Sequence, residues 1–224
     1  MHPTLRRVLK NILRSIGLQK HDKNILEYGS PVKEFQLLLR EIEPRTTLGL
    51  DRCFILYQLA RHVNAIHGDM AEIGVYKGGT ARLIARTTQK AVHIFDTFAG
   101  MPPTDKTKDR HLEGDFSDTS FQSVKEYLKD CPNIKLYPGF FPETAVPIKE
   151  LQFCFVHIDV DIYKSVRDCC EFFYPRVAQG GIMIFDDYGF LTCPGAKTAV
   201  DEFFTGKPEY PCFLPTAQCL VVKL

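Results

Sequence analysis

From Asp69 onward the chain alternates short β-rich runs with helical stretches, and that alternation constrains its fold more than any other feature. The runs are 69–75 (DMAEIGV), 91–98 (AVHIFDTF), 133–140 (NIKLYPGF), 153–161 (FCFVHIDVD) and 180–187 (GGIMIFDD). Helical candidates lie near 79–88, 119–130, 143–150, 163–177 and 195–205. A strand that is followed by a helix returns parallel to itself, so these units predict an open parallel sheet. The final runs, 210–216 and 217–223 (AQCLVVK), are too close together for a crossover and must pair as an antiparallel hairpin. The expected architecture is a Rossmann-like α/β fold with a seven-stranded, mostly parallel sheet ending in that hairpin. A helical zone over 34–67 precedes it, with Phe35, Leu37, Leu38 and Leu39 before Pro44 and Leu50, Phe54, Ile55, Leu59, Ala60 and Val63 after it. It reads as a cap on the core. The chain thus divides into an N-terminal helical extension, residues 1–45, and a main domain, residues 46–224.

Further upstream, Leu5, Val8, Leu9, Ile12, Leu13 and Ile16 recur at helical spacing with Arg6, Arg7, Lys10 and Arg14 among them. Such a basic amphipathic helix serves a membrane surface or a targeting step, or packs on protein. With 28 basic against 27 acidic residues the net charge is +1, which leaves no global field to hold nucleic acid or an anionic membrane. Packing on protein is therefore expected, including homo-oligomer formation through these helices. The partner expected is a small molecule, with no nucleic acid and no membrane. The 8 cysteines are scattered, several inside apolar runs, with no CxxC pair, which points to reduced core thiols. No apolar stretch approaches the roughly 18 residues needed to span a bilayer, and a cytoplasmic location is expected.

In an open parallel sheet the ligand crevice lies beyond the carboxyl ends of the strands, where strand order reverses. After the first core strand come Glu72-Ile73-Gly74-Val75-Tyr76-Lys77-Gly78-Gly79-Thr80. Glycines there allow close approach and positive φ, and Thr80 is placed to cap the following helix. The spacing is Glu-x-Gly-x-x-x-Gly and not the Gly-x-Gly-x-x-Gly of dinucleotide binders. A pyrophosphate needs a tighter turn on a helix N-terminus. The looser turn with its strand acid suits the amino-acid moiety of S-adenosylmethionine, with Glu72, Gly74, Tyr76, Gly78, Gly79 and Thr80 as candidate contacts. The second run ends in Asp96-Thr97, where a carboxylate can accept both hydroxyls of a ribose.

The fourth run ends in His157-Ile158-Asp159-Val160-Asp161 and the fifth in Phe185-Asp186-Asp187-Tyr188. On adjacent strands, about 5 Å apart, these acids converge. Clustered carboxylates repel one another unless a cation joins them, and hard oxygen ligands suit Mg²⁺, or Ca²⁺ or Mn²⁺. The plainer reading makes Asp161 and Asp186 or Asp187 helix caps. If the strand continues to its end, alternation places Asp159 and Asp161 on one face, and spacing alone does not decide which of them holds the metal.

The strings AEIGVYKGGTA, FDTFAGMP, HIDVDIYKS and GGIMIFDDYG resemble the macrocin O-methyltransferase family, whose members methylate hydroxyls of deoxysugars and other natural products. The likeness runs from about Thr46 to Phe204. It implies a class I methyltransferase fold, S-adenosylmethionine as methyl donor, and Mg²⁺ held by Asp159, Asp186 and Asp187. The same positions look like the metal acids of catechol-type O-methyltransferases. In that group a lysine soon after the first metal acid is the base, whereas the stretch here is Asp161-Ile162-Tyr163-Lys164.

The expected reaction is methyl transfer from the sulfonium to a hydroxyl oxygen, assisted by Mg²⁺. Asp161 or Asp159 takes the proton, with Asp161 preferred. Residues 99–122, polar and rich in Pro and Gly, read as a lid. His111, Tyr163 and Tyr188 are candidate substrate contacts. Two other readings compete: a nucleotide-sugar glycosyltransferase using Asp159-Val160-Asp161 as a metal-binding DxD, and a non-catalytic cofactor-binding protein of the same fold.

Overall fold

A computed structural model describes residues 33–224, and the basic helix expected near residues 5–16 lies outside them. Two helices, α1 (Lys33–Ile42) and α2 (Leu50–His62), lead into the sheet. The parallel strands are β1 (Asp69–Ile73), β2 (Val92–Asp96), β3 (Ile134–Pro138), β4 (Phe153–Ile158) and β5 (Val177–Phe185). The short β6 (Cys212–Phe213) and β7 (Cys219–Val222) close the sheet as the antiparallel hairpin. Strand order is β3-β2-β1-β4-β5-β7-β6, a seven-stranded sheet whose order reverses between β1 and β4. Helices α3 (Gly79–Arg86), α4 (Phe121–Tyr127), α5 (Tyr163–Phe173) and α6 (Pro194–Phe204) follow β1, β2, β4 and β5. No described helix is long and apolar enough to cross a membrane.

Strand alternation divides the core between the two faces of the sheet. On one face Met70, Val92, Ile94, Phe155 and Ile184 meet the cap, through Phe35, Ile42, Leu56, Tyr57 and Ala60, and Leu83 and Ile84 of α3. On the other, Ile73, Phe95, Phe153, Val156 and Phe185 meet Cys169 and Phe173 of α5 and Ala199 and Phe203 of α6. Phe153 and Phe155 fall on opposite faces although they are two residues apart. The register of β4 shifts at Phe153 against both of its neighbours, and that bulge reverses the side-chain direction. Each of these buried aromatic side chains contributes about 1.5–3 kcal/mol from apolar burial.

Several boundaries differ from expectation, each for a local reason. The helix expected over 143–150 is a 3₁₀ segment, Glu143–Ile148, because Pro147 inside it has no N–H to donate. The run 210–216 pairs over only two residues, since Pro211 and Pro215 bracket them. The fifth strand begins at Val177, earlier than expected. The first strand stops at Ile73, because Gly74 turns away with φ +84°. A Cβ at Gly74 would lie 1.7 Å from the carbonyl oxygen of Asp159, so the turn after β1 rests directly on the chain leaving β4.

That contact generates a test. Gly74→Ala combines a left-handed φ with a clash against backbone, and is expected to cost about 2–5 kcal/mol in urea unfolding. An unchanged midpoint would show that the two turns are not wedged together.

Candidate active site

A cavity of about 330 Å³ opens beyond the carboxyl ends of β1, β2 and β4, at the strand-order reversal. Of the residues picked out by sequence, Gly74, Tyr76, Asp96, Thr97, His111, Asp159, Asp161 and Asp187 line it. Glu72, Gly78, Gly79, Thr80, Asp186, Tyr163 and Tyr188 do not.

The glycine turn is held by Asp96. Its Oδ2 accepts the amides of Val75 at 2.7 Å and Tyr76 at 2.8 Å, and its Oδ1 accepts the amide of Phe98 at 2.6 Å. Three of roughly four lone-pair sites are thus engaged, leaving one, on Oδ1, unengaged. Asp96 was expected to face a ligand; the structure places it at the cavity wall with its carboxylate building the loop. Thr97 lines the cavity while its hydroxyl donates to the carbonyl of Gly100 at 2.6 Å. Thr80 does not cap α3: the cap position is Gly78, with φ +89° and no side-chain bond, and Thr80 is buried inside the first turn. Gly79 allows that turn to sit on the backbone of Arg45, 2.7 Å from where its Cβ would be.

Glu72 is fully buried beneath the site. Parallel register sets it beside His157 of β4, and its Oε1 meets His157 Nδ1 at 2.9 Å. Its Oε2 has no partner among the described residues. Burial alone would lower the imidazole pKa, but the acids around it, Asp186 and Glu72 foremost, raise it to about 10. These acids thus favour its protonated form.

Carboxylate oxygens of Asp159, Asp186 and Asp187 lie within 4.8 Å of one another. Hydrogen bonds from the Asp159 amide to Ile73 and from the Asp186 amide to Ile158, each 2.9 Å, fix the two chain exits. The fourth strand does not continue to Asp161 as alternation required. It ends at Ile158, and Asp161 takes φ +58°. The two acids consequently separate: Asp159 joins Asp186 and Asp187, whereas Asp161 joins His111 and Cys193. The Asp161 amide donates to Asp187 Oδ2 at 2.9 Å.

Burial pushes the Asp159 and Asp187 carboxyls well above the usual carboxylate range, and their acidic neighbours push further. Asp161 moves the same way, chiefly through burial. Asp186 moves down despite its burial, because His157 lies 3.8 Å away and the Arg52 guanidinium pairs with its Oδ2. Gln218 donates to its Oδ1 at 2.8 Å. Asp186 is thus already balanced, while Asp159 has no hydrogen-bond donor among the described residues and Asp187 has one oxygen free. Two starved carboxylates and a third beside them form a hard-oxygen set that fits a divalent cation such as Mg²⁺.

Other walls were not legible in the sequence. Arg52 comes from the cap helix, with its guanidinium over the Phe190 ring at 4.9 Å. Phe140 and Phe141, just after β3, line the cavity too, and their place at a strand's carboxyl end was the available signal. The segment expected as a lid contributes Gly100, Met101, Pro102, His111 and Phe116. It is anchored by Asp109, which accepts the Tyr163 amide at 2.8 Å, and by Asp118, which accepts the Tyr76 hydroxyl at 2.7 Å. The two tyrosines expected to touch substrate turn elsewhere: Tyr163 donates to Glu202 at 2.6 Å and Tyr188 to Asp201 at 2.7 Å.

Comparison with known proteins adds the chemistry. The macrocin-O-methyltransferase (TylF) family model matches residues 44–207. Demethyldecarbamoylnovobiocin O-methyltransferase of Streptomyces niveus is 28% identical over 179 residues, covering 70% of this chain and 67% of that protein. The 8-demethyl-8-(2,3-dimethoxy-alpha-L-rhamnosyl)-tetracenomycin-C 4'-O-methyltransferase of Streptomyces olivaceus is 27% identical over 189 residues, covering 75% and 72%. The solved structure of the O-methyltransferase NovP superposes with a TM-score of 0.69 at 25% identity, covering 80% of this chain and 82% of that one. TomG of Streptomyces achromogenes, solved in complex with SAM, shares the fold at a TM-score of 0.59 and 14% identity, covering 92% and 100%.

The electrostatics predict a pH signature. A carboxyl whose folded pKa exceeds its unfolded value costs stability as pH rises, starting at the unfolded value and complete above the folded one. Asp159, Asp161 and Asp187 have that sign. Asp186 has the opposite sign, and its contribution is complete by about pH 5. In EDTA, Tm is expected to fall as pH rises above about 5, and Mg²⁺ to restore more of it the higher the pH. An Mg²⁺ increment independent of pH would contradict this assignment.

Proposed function

This chain belongs to the macrocin-O-methyltransferase family, and from that premise we propose that it transfers a methyl group from S-adenosylmethionine to a hydroxyl of a sugar or other natural product, assisted by Mg²⁺. One observation carries the reading: the glycine turn with Asp96 and the acids Asp159, Asp161 and Asp187 open into the same cavity. A donor held at one end and an acceptor oxygen at the other are then brought together within it, which removes most of the entropic cost of their encounter. The substrate class follows the names of the relatives, one of which acts on a rhamnosyl compound. The family match removes the glycosyltransferase reading of Asp159-Val160-Asp161.

S-adenosylmethionine, when bound, supplies an electrophilic methyl on a sulfonium. A divalent cation at Asp159, Asp186 and Asp187 supplies a Lewis acid that lowers the acceptor hydroxyl's pKa. Around them the chain's own groups divide the work. The turn from Gly74 to Tyr76 would hold the amino-acid end of the donor, and the unengaged Oδ1 site of Asp96 would accept from the ribose. Asp161 would take the proton that the acceptor hydroxyl loses on methylation. Its raised pKa makes it a better base than an exposed aspartate. Met101 and Phe116 from the lid and Phe140 and Phe141 opposite exclude water. The products are the methyl ether and S-adenosylhomocysteine, with the proton left on Asp161.

We place residues 46–224 as the methyltransferase domain. All 8 cysteines are free thiols, 7 of them buried, which suits a reducing compartment, and we assign the protein to the cytoplasm.

Asp187→Asn separates the two halves of the site. Methyl transfer is expected to fall by orders of magnitude, while S-adenosylmethionine affinity by calorimetry stays within about threefold. Loss of affinity in step with loss of rate would merge the two halves and overturn the division.

A further inference from the structure

Beside the hard-oxygen acids lies a second ligand set of a different chemical kind. Asp161 Oδ1, Cys193 Sγ and His111 Nε2 come from three separate parts of the fold: the turn after β4, the residue just before α6, and the lid between β2 and α4. Cys193 Sγ is 3.4 Å from Asp161 Oδ1 and 3.6 Å from His111 Nε2, and the last two atoms are 3.6 Å apart. Bonds of about 2.0–2.3 Å at tetrahedral angles place such donors about 3.3–3.6 Å apart. The three atoms therefore form a triangle with the edge lengths of one face of a tetrahedral metal site. His111 Nδ1 meets Asp115 Oδ2 at 3.0 Å, which leaves Nε2 directed into the triangle. A carboxylate behind a histidine in this way fixes the ring and raises its basicity as a ligand. All three donors border the cavity, so a fourth coordination position is open to water or substrate.

We infer that Asp161, Cys193 and His111 form a binding site for zinc, distinct from the acid cluster that suits Mg²⁺. Imidazole and thiolate select a borderline ion, whereas an all-carboxylate set selects a hard one. On binding, the Cys193 thiol gives its proton to solvent and the thiolate ligates the ion; no electrons are transferred. The bound ion ties the lid to β4 and α6 and occupies the carboxylate assigned as the base, so it inhibits methyl transfer. That last consequence rests on the proposed role of Asp161, but the site itself does not.

Cobalt(II) titration of the full chain in excess Mg²⁺ tests the site without turnover. The expected result is a thiolate-to-cobalt charge-transfer band with tetrahedral d–d bands, reversed by zinc. Cys193→Ser should abolish the charge-transfer band, and Cys212→Ser, at the exposed thiol, should keep it. Asp115→Asn retains every ligand and is expected to weaken cobalt binding by about 10–100-fold. Absence of the band, its survival in Cys193→Ser, or unchanged affinity in Asp115→Asn would each overturn the site. Zinc that binds here yet leaves methyl transfer at full rate would overturn the base assignment instead.

Discussion

Asp159, Asp161, Asp186 and Asp187 gather at the ends of two neighbouring strands, and their mutual repulsion is the constraint around which this part of the molecule is arranged. Leaving a buried carboxylate unpaired costs several kcal/mol, so each must find a proton, a donor or a cation. Asp186 finds Arg52, His157 and Gln218. Through His157 the chain of polar contacts continues to Glu72, from the cap helix to the centre of the sheet. Asp159 and Asp187 have no comparable partner among the described residues.

The same constraint explains why the cap and the lid belong to the site and do not merely cover it. The cap helix supplies Arg52, and the lid supplies His111 to Asp161. Both segments are fixed to the core by buried or half-buried polar groups: Asp109 under the start of α5, and Arg82 bonded at once to Glu41, Asp130 and the carbonyl of Tyr127. The glycine turn and the acids after β4 are adjacent because Gly74 packs against the Asp159 carbonyl with no side chain between them.

Much of this could be read from the residues alone. Alternating strand and helix patterns imply parallel order and hence adjacency of β4 and β5, and that adjacency brings Asp159, Asp186 and Asp187 together. What pattern could not supply was direction. Extending β4 to Asp161 placed both acids on one face, whereas a left-handed residue at Asp161 sends its side chain to another cluster. Glu72 sits in a motif that suggested a ligand contact, but parallel register gives it His157 instead. Arg52 lies on an amphipathic helix with nothing local to distinguish it from Arg61, and only tertiary packing aims it at Asp186. Tyr163 and Tyr188 follow strand ends, yet helix-borne acids draw their hydroxyls away from the cavity.

The proposed reaction joins, in one cavity, a methyl donor to a hydroxyl activated at the acid cluster. Incubating the protein with S-adenosylmethionine and a panel of hydroxylated glycosides, with Mg²⁺ or with EDTA, and reading products by mass spectrometry tests it most directly. An acceptor is expected to gain one methyl group, with S-adenosylhomocysteine formed in equal amount, only when Mg²⁺ is present. Methylation at full rate in EDTA would contradict it and leave the acids with a purely structural role.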